Sequence, residues 1–379
     1  MQKKLIVALI IIALFFVMIM DFKINGVKVF ETFVKNMETD SFKQMRSYQG
    51  VDILSSDFTK RKVLDTKELA ADPAVIKSLF IRNQLGSIEI VGEKRDNIVV
   101  DSTINVYANQ EVSNAFIEDI DISIIDKSSS YNISLEDPGV IPNHINGIGV
   151  DYKVKVPEEL ALDLYNQYGK VTVNNIKNDV DVRNSYDLVD MNDINGNINL
   201  RNRFGKLTVK DITGKAEINA RHCDIVDISN ISDKLEIDSE FSQVELNDIN
   251  ARTDLDFHYG SLVFNNLNDI IELKSSFTAI QGRNVNHAVE ADMRYGAIDL
   301  TDVAADIIAE GNFSAISVRL SSELEDYQLD CQTKYKKIKT NLPFEIEKDD
   351  NYEILQAKKG TGDVEIIIES RHGDIAIFQ

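Results

Sequence analysis

The residues with the clearest capacity for chemistry are carboxylates that return at a fixed interval. Asp163, Asp181, Glu217, Glu236, Asp254, Glu272 and Glu290 occupy one position of a short repeat, and Asn199 fills the same position once. Stacked at strand spacing, about 4.8 Å apart, they form an acidic ladder. One chemistry for such a ladder is docking of divalent cations or of a basic partner. Another is glycoside hydrolysis, in which carboxyl groups about 5 Å apart act as acid and nucleophile. A third reading needs no ligand. Like charges that far apart in water cost only about 0.9 kcal/mol, so a solvated ladder is tolerable and discourages lateral strand pairing. Nearby Arg183, Arg201, Lys215, Lys234, Arg252 and Lys274 partly neutralise it. The hydrolase reading is the weakest, because a substrate cleft needs walls and the repeat contains no long insertion.

The other reactive groups are scattered. His222 and His372 take the place of an aromatic residue in the repeat, His258 and His287 fall near turns, and His144 lies in a loop. No Cys/His spacing suits a metal. Cys223 and Cys331 are 108 positions apart, which at one repeat per strand spacing is about 25–30 Å, too far for a disulfide within one chain. The glycine-rich nonapeptide of calcium-binding β-rolls is missing, as are a phosphate loop, a nucleophile elbow and a triad. The expectation is a protein with no catalytic residue, no cofactor and no dedicated metal site.

The frame that must position these side chains is a period. Tyr168, Tyr186, Phe204, His222, Phe241, Tyr259, Phe277, Tyr295 and Phe313 recur every 18 residues, except for a 19-residue step from His222 to Phe241. Alternating apolar pairs flank each ring, as Val180/Val182 and Val189/Met191 flank Tyr186. Alternation rich in Val and Ile marks strands. A third apolar residue (Ile176, Ile194, Ile212, Ile231, Ile249, Leu267, Val285, Val303) always follows an Asn or Asp, the residue types that bond their own backbone at tight corners. A fixed short period is the mark of a solenoid. The expected fold class is therefore all-β: a parallel β-solenoid with coils of about 18 residues and two short strands per coil, capped at both ends. Nine anchors at strand spacing predict a rod of roughly 40–45 Å.

The chain of 379 residues has a net charge of −21, no tryptophan and five prolines. That balance disfavours nucleic acid and anionic lipid as partners and favours cations or basic proteins. Lys3 and Lys4 precede the uncharged apolar run Leu5 to Met20, with no small-residue cleavage pattern after it. This predicts an uncleaved N-terminal transmembrane helix, residues 1–21, with the rest outside, the alternative being a cleaved signal peptide. Residues 22–75 read as a juxtamembrane spacer, with the stretch from Ser41 to Lys62 as loop. Residues 76–156 read as a first coil and N-terminal capping strands, with a short helix near Glu111 to Glu118. Residues 157–342 hold the repeats, and 343–379 the terminal coil and C-terminal cap. Open solenoid ends need such covers.

At Tyr168-Gly169-Lys170-Val171-Thr172-Val173, Phe204-Gly205-Lys206-Leu207-Thr208-Val209 and Gly360-Thr361-Gly362-Asp363-Val364 the chain resembles the putative-adhesin β-strand-repeat family. This is a bacterial domain of unknown function that includes membrane-anchored cell-envelope proteins of Gram-positive bacteria. The resemblance spans about residues 76 to 379. It implies an anchored, extracytoplasmic β-solenoid linked to adhesion or envelope stress, and it supplies no catalytic signature. The expected role is non-catalytic binding or scaffolding at the cell membrane, with a cell-envelope component or a membrane protein as partner. The alternatives are a self-assembling structural scaffold and a polysaccharide-active β-helix enzyme.

Overall fold

Each strand of the repeat hydrogen-bonds, in parallel, to the strand one period further along the chain. The computed structural model describes residues 58–72 and 74–379; the expected anchor, and the expected spacer up to residue 57, lie outside them. Val180–Tyr186 pairs with Ile198–Asn202, which pairs with Ala216–Arg221, then Lys234–Glu240. Val189–Ile194 pairs in the same way with Gly205–Ile212, then with Cys223–Ile231. The chain is thus all-β and solenoid-like, with one face built from the first strand of every repeat and a second face from the second. Inward residues of both faces, such as Val182, Met191, Leu200 and Val209, are fully buried in one continuous apolar core. The extra residue of the 19-residue period sits in a bulge: Gly205 pairs with Cys223 and Lys206 with Ile225, which leaves Asp224 unpaired.

Two corners turn the chain between faces. At one, the Asx residues Asn175, Asp193, Asp211, Asn230, Asp248, Asn266, Asn284 and Asp302 all have φ between 53° and 56°, the left-handed geometry that short polar side chains tolerate. At the other the rings stack. Eleven of them, from Tyr168 to Tyr335, lie with centroids 4.5 to 5.3 Å apart and planes within 16° of parallel.

This corner changes construction part-way along. In the first repeats the residue after the ring is left-handed: Gly169, Asp187 and Gly205. Interior Asn166, Asn184 and Asn202 donate from Nδ2 to nearby corner carbonyls, those of Gly169, Tyr186 and Phe204. From His222 onward the ring residue itself is left-handed, with φ of 54° to 67°, and the interior position holds Ala220, Ser239 or Phe257 instead of Asn. A left-handed bulky residue costs about 1–3 kcal/mol. Two stacked neighbours return about 0.5–1.5 kcal/mol each, enough to hold the geometry.

At both ends the order in space departs from the order in the chain. Ser130–Leu135 and Ile145–Pro157 pair outside Ser78–Leu85 and Ile88–Glu93, which in turn pair with Ala161–Tyr168 and Val171–Ile176. At the far end Val364–Arg371 pairs with Ile307–Asn312 on one side and Tyr327–Lys334 on the other. The stretch 362–377, within the 343–379 segment expected as the terminal coil and cap, is therefore next to last, and 327–340 lies outside it. Sequence period reports pairing between consecutive repeats and is silent on a later segment inserting between earlier ones.

Antiparallel strands cover the edges. Ile122–Asp126 lies on Ser130–Leu135, Asn97–Ala108 on Ile145–Pro157, and Tyr352–Lys359 on Tyr327–Lys334. The short helix near 111–118 forms over Asn114–Glu118 with Ser113 as its N-cap. The spacer expectation is corrected here. Phe58–Val63 and Lys67–Ala70 are strands on Asn97–Ala108, so the folded unit begins before residue 76. They are edge strands with mostly polar, exposed side chains, which gives no apolar alternation to read. No described helix is long and apolar enough to cross a membrane.

Candidate functional site

The first face holds the acidic ladder in register. Asp163 pairs with Asp181, Asp181 with Asn199, and Asn199 with Glu217. Glu217 pairs with Glu236, Glu236 with Asp254, Asp254 with Glu272, and Glu272 with Glu290. The strand period of two turns every one of these side chains outward, because the residues on either side face the core. The column ends where Phe80 and Ile308 take the position.

Basic side chains bridge most steps of the ladder. Lys215 Nζ lies 2.5 Å from Glu217 and 2.9 Å from Glu236. Lys234 Nζ lies 2.6 Å from both Glu236 and Asp254. Arg252 joins Asp254 to Glu272, and Arg183 joins Asp181, at 3.1 Å, to Asp163, at 3.7 Å. Each bridge offsets the like-charge repulsion between two successive repeats. Hydrogen bonds from Lys234 and Lys215 hold the Glu236 carboxyl below its usual range. The same contacts raise both lysines, led by Asp254 for Lys234 and by Glu217 for Lys215. Asp163 differs: partial burial raises it, Arg183 opposes that, and the Asp181 charge adds to it. Glu236 is thus stabilised in its ionised form, which suits ion pairing and does not suit donating a proton.

A second carboxylate column escaped sequence reading. Asp238, Asp256, Asp292 and Glu310 lie two residues further along the same strands, with Lys274 between Asp256 and Asp292. The two columns line a shallow groove of about 740 Å³ that runs from Asn199 to Glu310. Arg201 and Lys274 are its only basic lining residues. The period was there to be read, but Arg183, Arg201 and Lys274 interrupt the column and hide it. The groove continues into a smaller hollow of about 320 Å³, where Arg294, Arg371 and Lys334 join Asp292, Glu310 and Glu369.

Among the described residues, no group of three or more His, Cys, Asp or Glu side chains could hold a metal ion. Lys215 and Lys234 stand between successive carboxylates of the ladder. His222 and His372 lie in the ring stack, and burial lowers the His222 pKa. His258 stands on the first face, with Nδ1 2.5 Å from Ser276 Oγ and Nε2 3.3 Å from Asp256. Cys223 and Cys331 are free and buried, and burial pushes both thiols up to about 12.

No protein-family model matches the chain, and no curated protein sequence is significantly similar to it. Two solved structures show a distant likeness. One is a putative cell adhesion protein from Clostridium sporogenes, 12% identical, with 84% of this chain and 100% of that one covered at a TM-score of 0.17. The other is a putative adhesin from Bacteroides fragilis, 12% identical, with 83% and 97% covered at a TM-score of 0.20. Scores this low fall short of a shared fold.

Proposed function

We propose that the protein is a membrane-anchored, extracytoplasmic parallel β-solenoid that acts as an adhesin-like binding module without catalysis. The observation that carries this reading is the wall-less acidic groove of the first face. Its carboxylates are spaced regularly over several repeats, and no long loop encloses them. Such a surface suits an extended or broad partner with positive charge: a basic envelope protein or a cationic wall polymer. The net charge of −21 speeds encounter with such partners. The apolar run Leu5 to Met20 supports the anchor, and the antiparallel strands over the edges speak against end-to-end polymerisation.

The test is one mixture with two readouts. Full chain in detergent is combined with cell-wall polysaccharide, with and without calcium, and assayed for co-sedimentation and for released sugar ends. Binding without release, insensitive to calcium and weakened by salt, is the expected result. Release of sugar ends would replace this reading with an enzyme. Absence of binding would move the partner search to basic proteins at the membrane.

A further inference from the structure

The repeat Val364–Phe378 fills a gap between two repeats that precede it in the chain. Ala309, Ile368 and Cys331 share one register position across the gap, and Val318, Ile377 and Thr340 share another. The outer strand Tyr327–Lys334 pairs with this inserted repeat and with Tyr352–Lys359, and with no strand of the body. Without the insertion, the body would end in two bare parallel edges, Ile307–Asn312 and Ala315–Leu320.

The slot grips the insert by contacts that any copy of the same sequence can make. Glu365 N donates to Asp306 Oδ1 at 2.8 Å, Ser370 Oγ to the Ser314 carbonyl at 3.2 Å, and Thr333 Oγ1 to the Gly373 carbonyl at 2.7 Å. Gly373 lies so close to Ser314 that a Cβ there would stand 1.7 Å from its carbonyl oxygen. The insert is tethered through one loop, Gly360 to Asp363, in which Gly360 and Gly362 have φ of 68° and 80°. That loop is fastened by a single side chain. Asp326 accepts from the N–H groups of Thr361, Gly362 and Asp363 and from the Thr361 hydroxyl.

We propose that this slot also takes the Val364–Phe378 repeat of a second copy, so that two chains associate by reciprocal exchange of the repeat, and that the Asp326 clamp favours the self-closed form. Exchange of an identical element needs no new interface, because every contact of the slot is reused. The clamp is the contact that an opened tether loses.

The experiment uses two batches of full chain in detergent with different N-terminal affinity tags, each prepared unaltered and as Asp326→Ala. The batches are mixed, held briefly in urea below the unfolding midpoint, returned to buffer and captured through one tag. The expected result is co-capture of the second tag as a species of roughly twice 42.7 kDa. Its yield should be severalfold higher for Asp326→Ala, and an excess of synthetic peptide Gly362–Gln379 should abolish it. No exchange in either form would overturn the proposal. So would co-capture that the peptide leaves untouched, because another surface would then join the copies. Equal, peptide-sensitive exchange in both forms would uphold the slot and reject the clamp.

Discussion

Truncating Ile368 to alanine should loosen a whole end of the molecule and leave its middle intact. Ile368 is fully buried in the inserted repeat, between Ala309 and Cys331. Ile→Ala removes three carbons, which at about 0.8 kcal/mol each is about 2.4 kcal/mol of lost transfer energy. Alanine and cysteine are too small to collapse into the space, so a cavity term raises the cost to about 3–4 kcal/mol. In a stacked fold each repeat contacts only its neighbours, and the outer repeat hydrogen-bonds to the body only through this insert. Amide exchange in Tyr327–Lys334, Tyr352–Lys359 and Val364–Arg371 should therefore speed up together, by about 10²- to 10³-fold at 1.4 kcal/mol per decade. Val189–Ile194, many repeats away, should keep its rates. Hydrogen exchange read by mass spectrometry of peptic fragments checks this. Uniform acceleration along the chain, or acceleration confined to 364–378, would refute the keystone argument.

Four further outcomes are expected. Backbone hydrogen bonds hold the Asp326 carboxyl at about 2, below the usual carboxylate range. The clamp therefore adds stability above pH 4, and that contribution is lost as pH falls towards 2. The exchange difference at 360–363 between the unaltered chain and Asp326→Asn should vanish over that window. Lys234→Ala should raise the Glu236 pKa in an NMR titration while changing stability by no more than about 1 kcal/mol, as for other solvent-screened pairs. Gly205 and Asp187 occupy equivalent corners at φ of 104° and 91°. A Cβ on Gly205 would stand 2.3 Å from the Asp187 carbonyl oxygen, so Gly205→Ala should cost about 1–3 kcal/mol in urea unfolding, whereas Asp187→Gly should cost less or stabilise. Finally, Cys223 and Cys331 should resist alkylation at pH 8 until the chain unfolds, since burial raises both thiols; rapid labelling of the folded chain would contradict their placement.

The periodic part of the fold was legible because strand register turns equal spacing in sequence into direct adjacency in space. The 18-residue step alone places Asp254 beside Glu272 and Phe277 beside Tyr295. The single 19-residue step announces a bulge, though not that Asp224 forms it. What escaped has physical causes. Insertion of 364–378 between earlier repeats leaves the local pattern of every repeat unchanged, so no spacing betrays it. Phe58–Val63 is an exposed, charged edge strand whose pairing is set by its partner. The change of corner was written in the sequence: Asn precedes the ring by two positions at Tyr168, Tyr186 and Phe204, and stops doing so at His222. Reading it required knowing that the interior amide serves the corner carbonyls. The ladder was visible as a column and its companion was masked by the basic residues that interrupt it, while the lysine bridges depend on side-chain reach across two repeats.

The out-of-order insertion also bears on synthesis. The repeats from Ala161 to Leu320 can stack in the order in which the ribosome delivers them, each on the edge left by the last. The outer repeat 327–340 emerges next, but the level beneath it stays empty until residues 364–378 arrive. Closure of that end thus waits on the synthesis of residues 364–378. A chain cut before Val364 leaves Ile307–Asn312 and Ala315–Leu320 as two raw strand edges, open to pairing with other chains.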